Sequence, residues 1–212
     1  MLFRSAVQGL KFPPGSYEHP RVAPDGKRIT FATDDGKEAI IWVYDLDGAA
    51  AMRRLTFGGR NRFPIWSGDG KRIAFQSDRD GDLALFWQAA DGASGAERLT
   101  TPEPGTTHVP QSWSPKADVF AFDVLQGSSG VSLWTSSPVD KKMTRVDGVQ
   151  STALTNAVFS PDGKWLAWTT YESRASGVFV QPFPSTGVRY QINERGIYPL
   201  WSRDGEALRR LL

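Results

Sequence analysis

"IWSGDGKRIAFQSDRDGD", residues 65–82, carries the pattern from which the fold follows. A short run ends in an aromatic residue. A Ser-Gly-Asp-Gly turn comes next, in which glycine accepts the positive φ that other residues resist. Arg72–Ser77 then alternates apolar and polar side chains, the period of a β-strand. Four further copies lie along the chain: "PRVAPDGKRITFAT" at 20–33, "SWSPKADVFAFDV" at 112–124, "VFSPDGKWLAWTT" at 158–170 and "LWSRDGEALRRLL" at 200–212. Asp25, Asp69, Lys116, Asp162 and Asp204 take equivalent places, 44, 47, 46 and 42 residues apart. Strand-rich repeats of that length are the signature of propeller blades.

The same grammar fills each copy. Val22, Trp66, Trp113, Phe159 and Trp201 precede the turn, and Trp42, Trp87, Trp134 and Phe179 hold matching places in a third strand. Asp47-Gly48 and Asp91-Gly92 read as two-residue hairpin turns, and short fourth strands end in Arg-Leu-Thr at 54–56 and 98–100. The last copy stops after two strands. The first residues resemble the missing half, with Met1–Val7 as a third strand and Leu10–Phe12 as a fourth. The expected fold is all-β: a five-bladed β-propeller of four-stranded antiparallel blades, its closing blade shared by the N- and C-termini. A single domain spans 1–212, with blades at approximately 18–56, 57–100, 101–147, 148–193, and 194–212 completed by 1–17. The alternative is an open array whose edge strands pair with another chain.

Composition narrows the function classes. Hydrophobic residues make up 40% and charged residues 23%, which is globular composition. A net charge of +2 offers no strong field to nucleic acid. The chain has no cysteine, which removes disulfides, thiolate catalysis and Cys-based metal sites. No apolar run approaches the roughly 20 residues of a membrane-spanning helix. "MLFRSAVQGL" reads poorly as a signal peptide, so the compartment stays open.

The motif "WSxDGKRIAFxSDRDG" followed by "DG…RLT" resembles the TolB-like repeat family, a WD-type β-propeller repeat. The likeness runs along essentially the whole chain; "SPKAD" at 114–118 lacks the Asp-Gly, and "GEALRRLL" departs from the alternating strand. Such repeats occur in periplasmic TolB, in propeller domains of prolyl-oligopeptidase-type enzymes and in sensor regions of bacterial kinases. The resemblance implies a scaffold for protein contact or for gating another domain, and a periplasmic or extracellular setting. It implies no activity of the chain's own.

Candidate sites follow from the repeat frame. Counting back from the turn, the sixth position is held by His19, Phe63, Pro110, Asn156 and Tyr198; the seventh includes Glu18 and Arg62, and the eighth includes His108. These side chains differ between copies while the frame repeats. Glu18, His19, Arg62, Phe63, His108, Asn156 and Tyr198 are therefore the expected ligand- or partner-binding residues, clustered where the innermost strands begin. No catalytic residue is assigned. No G-x-S-x-G is present, His19 and His108 are the only imidazoles, and Glu18 is the only acidic residue in those three rings, with Glu103 and Glu194 on flanking loops. Asp78, Asp80 and Asp82 are considered as a place for a cation, calcium, and Asp34-Asp35-Gly36 is read in the same way. An EF-hand would need Glu where Ala89 stands, and turn chemistry is the better explanation of the aspartates. The reading is a non-catalytic binding module, monomeric if the ring closes, taking a protein or small ligand at the channel mouth and no cofactor. An esterase- or glycosidase-type hydrolase at the same mouth is one alternative. A sensor fragment of a larger protein is the other.

Overall fold

The protein is described by a computed structural model over residues 9, 13, 15–48, 51–171, 176–194 and 196–211. The strands proposed at Met1–Val7 and Leu10–Phe12 lie outside the described residues. Four antiparallel four-stranded sheets follow one another in chain order. The first holds β1 (Glu18–Val22), β2 (Arg28–Asp34), β3 (Ala39–Asp45) and β4 (Arg53–Arg54). The second holds β5 (Asn61–Trp66), β6 (Arg72–Ser77), β7 (Ala84–Ala89) and β8 (Glu97–Arg98). The third holds β9 (Thr106–Trp113), β10 (Phe120–Gln126), β11 (Val131–Ser136) and β12 (Met143–Arg145). The fourth holds β13 (Val158–Phe159), β14 (Trp165–Tyr171), β15 (Ser176–Pro182) and β16 (Tyr190–Asn193). A two-stranded sheet of β17 (Ile197–Trp201) and β18 (Leu208–Leu211) ends the chain. Among the described residues there is one 3-10 turn, at Gly127–Ser129, and no helix long and apolar enough to cross a membrane.

The repeated turn has a common chemistry. Ser67 Oγ donates to Asp69 Oδ1 at 2.6 Å, Asp69 accepts the Lys71 N–H at 3.0 Å, and Ser67 Oγ accepts the Arg72 N–H at 3.0 Å. Ser160–Asp162 and Ser202–Asp204 repeat these bonds. Gly70 closes the turn at φ 66°, a left-handed conformation that costs glycine nothing. The Asp47-Gly48 and Asp91-Gly92 turns differ from the two-residue hairpins the sequence led us to expect. Only the glycines adopt positive φ, whereas a type I′ turn needs it at both central residues. Gly48 and Gly92 instead donate to Asp45 O and Ala89 O inside longer connections, β4 starting only at Arg53 and β8 at Glu97.

Sheets stack face to face, so second strands are buried on both sides. Ile73 and Phe75 join Trp66, Ile41 and Phe86 in one core layer, while Ala74 joins Phe120, Phe122 and Trp113 in the next. Ala121 turns to the third layer with Leu166 and Trp168. Alternation of period 2 thus serves two cores at once.

Neighbouring repeats are also stitched by hydrogen bonds. The Trp66 indole N–H donates to Arg21 O at 2.9 Å, and that of Trp201 to Val158 O at 3.3 Å. The Phe159 N–H reaches Ser112 Oγ at 3.3 Å. Each bond satisfies a group on the free edge of an innermost strand, which has no ladder partner there. Trp66→Phe would keep the ring that Arg28 covers but orphan the Arg21 carbonyl. Urea denaturation should show a loss of about 1 kcal/mol with an unchanged slope.

Candidate functional site

The first strands β1, β5, β9 and β17 share an irregularity. In β1, Glu18 pairs with Ala32 and Arg21 with Thr30, so two residues face one. β5 and β17 do the same between Arg62 and Ile65 and between Ile197 and Leu200, and β9 carries an extra residue at Gln111. These are β-bulges. His19, Phe63, Asn156 and Tyr198 sit at the bulge or its equivalent with φ of 51°, 55°, 51° and 54°. Four left-handed residues that are not glycine, at one position of the repeat, make this a property of the frame. The fifth position is Pro110, whose ring forbids positive φ.

A bulge shifts the side-chain phase by one residue. The residues four places before the turn aspartate (Lys116 in the third copy), namely Arg21, Ile65, Ser112, Val158 and Leu200, all line one cavity of about 490 Å³. Gln111, Asn156 and Tyr198 line it too, with Trp66 and Trp113 in its wall. All five innermost segments therefore contribute to a single space. Three of the eight exposed large hydrophobics among the described residues, Val22, Tyr198 and Leu200, face it.

The expected site residues divide into three groups. Glu18, His19, Arg62 and Phe63 gather at the junction of the first two sheets. The rings of His19 and Phe63 lie 4.4 Å apart. Burial, then Arg21, holds His19 below its ordinary pKa, against the opposite pull of Glu18. Arg62 is committed to Asp34 of the neighbouring sheet, donating from Nε at 2.7 Å and also from its terminal nitrogen. Arg60 joins the same carboxylate at 3.0 Å. The Gly36 N–H, then Arg62, keeps Asp34 below the usual carboxylate range.

Asn156 and Tyr198 form the second group and face the cavity. Asn156 donates to Leu154 O at 3.0 Å, and the Tyr198 N–H donates to Thr169 Oγ1 at 3.2 Å. His108, the third, is packed in the wall at 2% exposure and is absent from the cavity lining. Its Nδ1 meets Thr100 Oγ1 at 2.9 Å. That is a nucleophile–base distance, but Thr100 is buried and accepts the Leu85 N–H. Burial pushes the His108 pKa down to about 4, so the imidazole is neutral and serves strand packing.

The aspartates considered for calcium have protein partners. Asp78 Oδ1 accepts the Arg60 N–H at 2.7 Å, Asp80 pairs with Arg98 at 3.1 Å, and Asp82 pairs with the same guanidinium. Among the described residues no cluster of three or more His, Asp or Glu side chains is placed to hold a metal ion.

Sequence reasoning missed Arg21, Gln111 and Asp123. Asp123 is fully buried. Its Oδ2 accepts Gln111 Nε2 and the Thr155 N–H at 2.8 Å each, and its Oδ1 accepts the Thr155 hydroxyl at 2.7 Å. Burial pushes its pKa up to about 7. The equivalent place in other second strands also pins the next repeat, through Gln76 to His108 O at 2.6 Å and Thr169 to Tyr198 N. The folded chain keeps Asp123 protonated up to about pH 7, whereas the unfolded chain ionises it near about pH 4. This group therefore lowers stability as pH rises through that window, and the penalty is constant above it. Asp123→Asn should gain on the wild type by up to a few kcal/mol between those pH values in denaturant titrations, with no further gain above.

A profile of the TolB beta propeller domain family matches residues 5–146. No curated protein is significantly similar in sequence. TolB from Acinetobacter baumannii superposes with a TM-score of 0.65 at 19% identity, covering 84% of this chain and 42% of that one. A candidate TolB from Agrobacterium tumefaciens gives 0.69 at 17%, covering 90% and 73%. A puromycin-hydrolyzing peptidase from Mycobacterium tuberculosis gives 0.65 at 15%, covering 88% and 30%. The chain thus spans less than half of the Acinetobacter protein and under a third of the peptidase.

Proposed function

The chain belongs to the TolB β-propeller domain family, and from that premise we propose that it is a non-catalytic binding module whose recognition site is the central cavity. The observation that carries this reading is the ring of unlike side chains, Arg21, Ile65, Ser112, Val158 and Leu200, that one repeated position delivers into one space. Accessible apolar side chains inside a cavity cost hydration, and a ligand relieves that cost. A volume of about 490 Å³ suits a small molecule or a few residues of a peptide.

We also infer a five-bladed ring closed through the termini. Support comes from the five innermost segments around one cavity, and from Arg203 lying across a second hollow from Val22–Gly26. That hollow sets the last turn beside the first. A closed ring gives a monomer of 23.4 kDa.

Leu200 is exposed, so Leu200→Phe reduces the cavity without touching the core. Aromatic fragments followed by ligand-observed NMR should bind the wild type and bind the variant severalfold more weakly. Equal binding to both would put recognition elsewhere.

A further inference from the structure

Among the described residues that line the central cavity, Arg21 is the only charged one; these contain no aspartate, glutamate or lysine. None of the ion pairs among the described residues includes it. Among the described residues, its one side-chain hydrogen bond runs from a terminal nitrogen to the carbonyl of adjacent Pro20 at 3.1 Å. A guanidinium carries five N–H donors in a rigid planar fork, so most of that capacity is unspent. The side chain is accessible to water yet closely surrounded, and this desolvation lowers its pKa from the ordinary arginine value.

Several other arginines of the first two sheets have carboxylate partners, while Arg53, Arg72 and Arg79 are held by a carbonyl, a ring or neutral side chains. Arg54 pairs with Glu38, Arg60 and Arg62 with Asp34, and Arg98 with Asp80 and Asp82. Among the described residues, Arg21 is the one arginine that lines this shared space, and it does so without a counter-charge. A cation crowded by its surroundings without a counter-charge is incompletely solvated, and a ligand anion offsets that cost. The rest of the ring gives no reason for a cation: Ile65, Val158 and Leu200 are apolar and Ser112 is neutral. The neutral donors and acceptors available beside it are Gln111, Asn156 and Tyr198.

Resting on the binding-module reading above, we propose that the central cavity is an anion-selective site in which Arg21 grips the carboxylate or phosphate group of a small, partly apolar ligand. The apolar part lies against Val22, Tyr198 and Leu200, with Trp66 and Trp113 in the wall. A carboxylate is planar and fits the guanidinium fork through two parallel bonds; a phosphate monoester presents the same oxygen pair.

The test uses the intact chain in low-salt buffer, with calorimetry and tryptophan fluorescence as readouts. The probes are benzoate, phenyl phosphate, inorganic phosphate and the neutral benzamide. Saturable binding of benzoate or phenyl phosphate is expected, about tenfold or more tighter than benzamide, and weakening with added salt. Comparing the two aromatic anions separates carboxylate from phosphate as the preferred group. Arg21→Gln should abolish the preference for the anion over benzamide, and Arg21→Lys should retain part of it. Arg21 is exposed and outside the core, and circular dichroism checks that both variants are folded. If wild type binds benzamide as well as benzoate, or if Arg21→Gln binds the anions undiminished, the anion proposal is wrong while the binding module stands. If no probe binds and none perturbs Trp66 or Trp113, both are wrong.

Discussion

Everything in this structure depends on how the exposed edge of each innermost strand is satisfied. A strand at a sheet edge presents unpaired N–H and C=O groups that invite another chain. Here a neighbouring repeat supplies the partner. An indole N–H from Trp66 or Trp201 caps a carbonyl of the preceding sheet, and Ser112 takes the Phe159 N–H. Deeper in the sheet, Gln76, Asp123 and Thr169 hold the start of the next first strand. The tryptophans therefore do two tasks. They fill the layer between sheets, as Trp66 does with Ile73 and Phe75, and they close a hydrogen bond that would otherwise be open.

That arrangement also makes the cavity. Because innermost edges are capped by side chains and not by another strand, they stay apart and enclose a space. The bulges then choose what enters it. With two residues of β1, β5 and β17 set against one of their partners, the phase of the side chains shifts, and one repeat position reaches the cavity in all five copies. The repeat supplies the frame and the variable column supplies the chemistry. One arginine among aliphatic and small neutral residues is an asymmetric answer from a near-symmetric scaffold.

Most of the scaffold was legible in the sequence. The spacing of Asp25, Asp69, Asp162 and Asp204 located the sheets, because x-x-Asp-Gly, with Ser or Ala first, is a self-contained turn whose bonds are local. The tryptophans marked the packing layers for the same reason of regular spacing. The site was harder. Counting back six to eight residues found Asn156 and Tyr198, which do face the cavity, but passed over Arg21, Ser112 and Leu200. Strict alternation cannot be carried through a bulge, and nothing in a single residue announces one. Pro20, Pro64 and Pro199, each following a left-handed residue, were the available hint. His108 lies outside the cavity lining for another reason: it meets Thr100, just beyond β8 of the preceding sheet, and that pairing appears only in three dimensions. The pinning role of Asp123 was hidden likewise, since the four equivalent places hold Ala32, Gln76, Asp123 and Thr169.

The central claim is that five sheets surround one space, so that the last sheet meets the first. The chain has no cysteine, which makes a direct distance measurement clean. Asp25 and Arg203 are both exposed and flank the hollow between the first and last turns. A protein carrying Asp25→Cys and Arg203→Cys, treated at high dilution with a short bismaleimide, should become bridged within one chain and run as a compact monomer. If bridging is absent, or occurs only between chains, the last sheet does not lie beside the first. The ring, and the site at its centre, would then have to be abandoned.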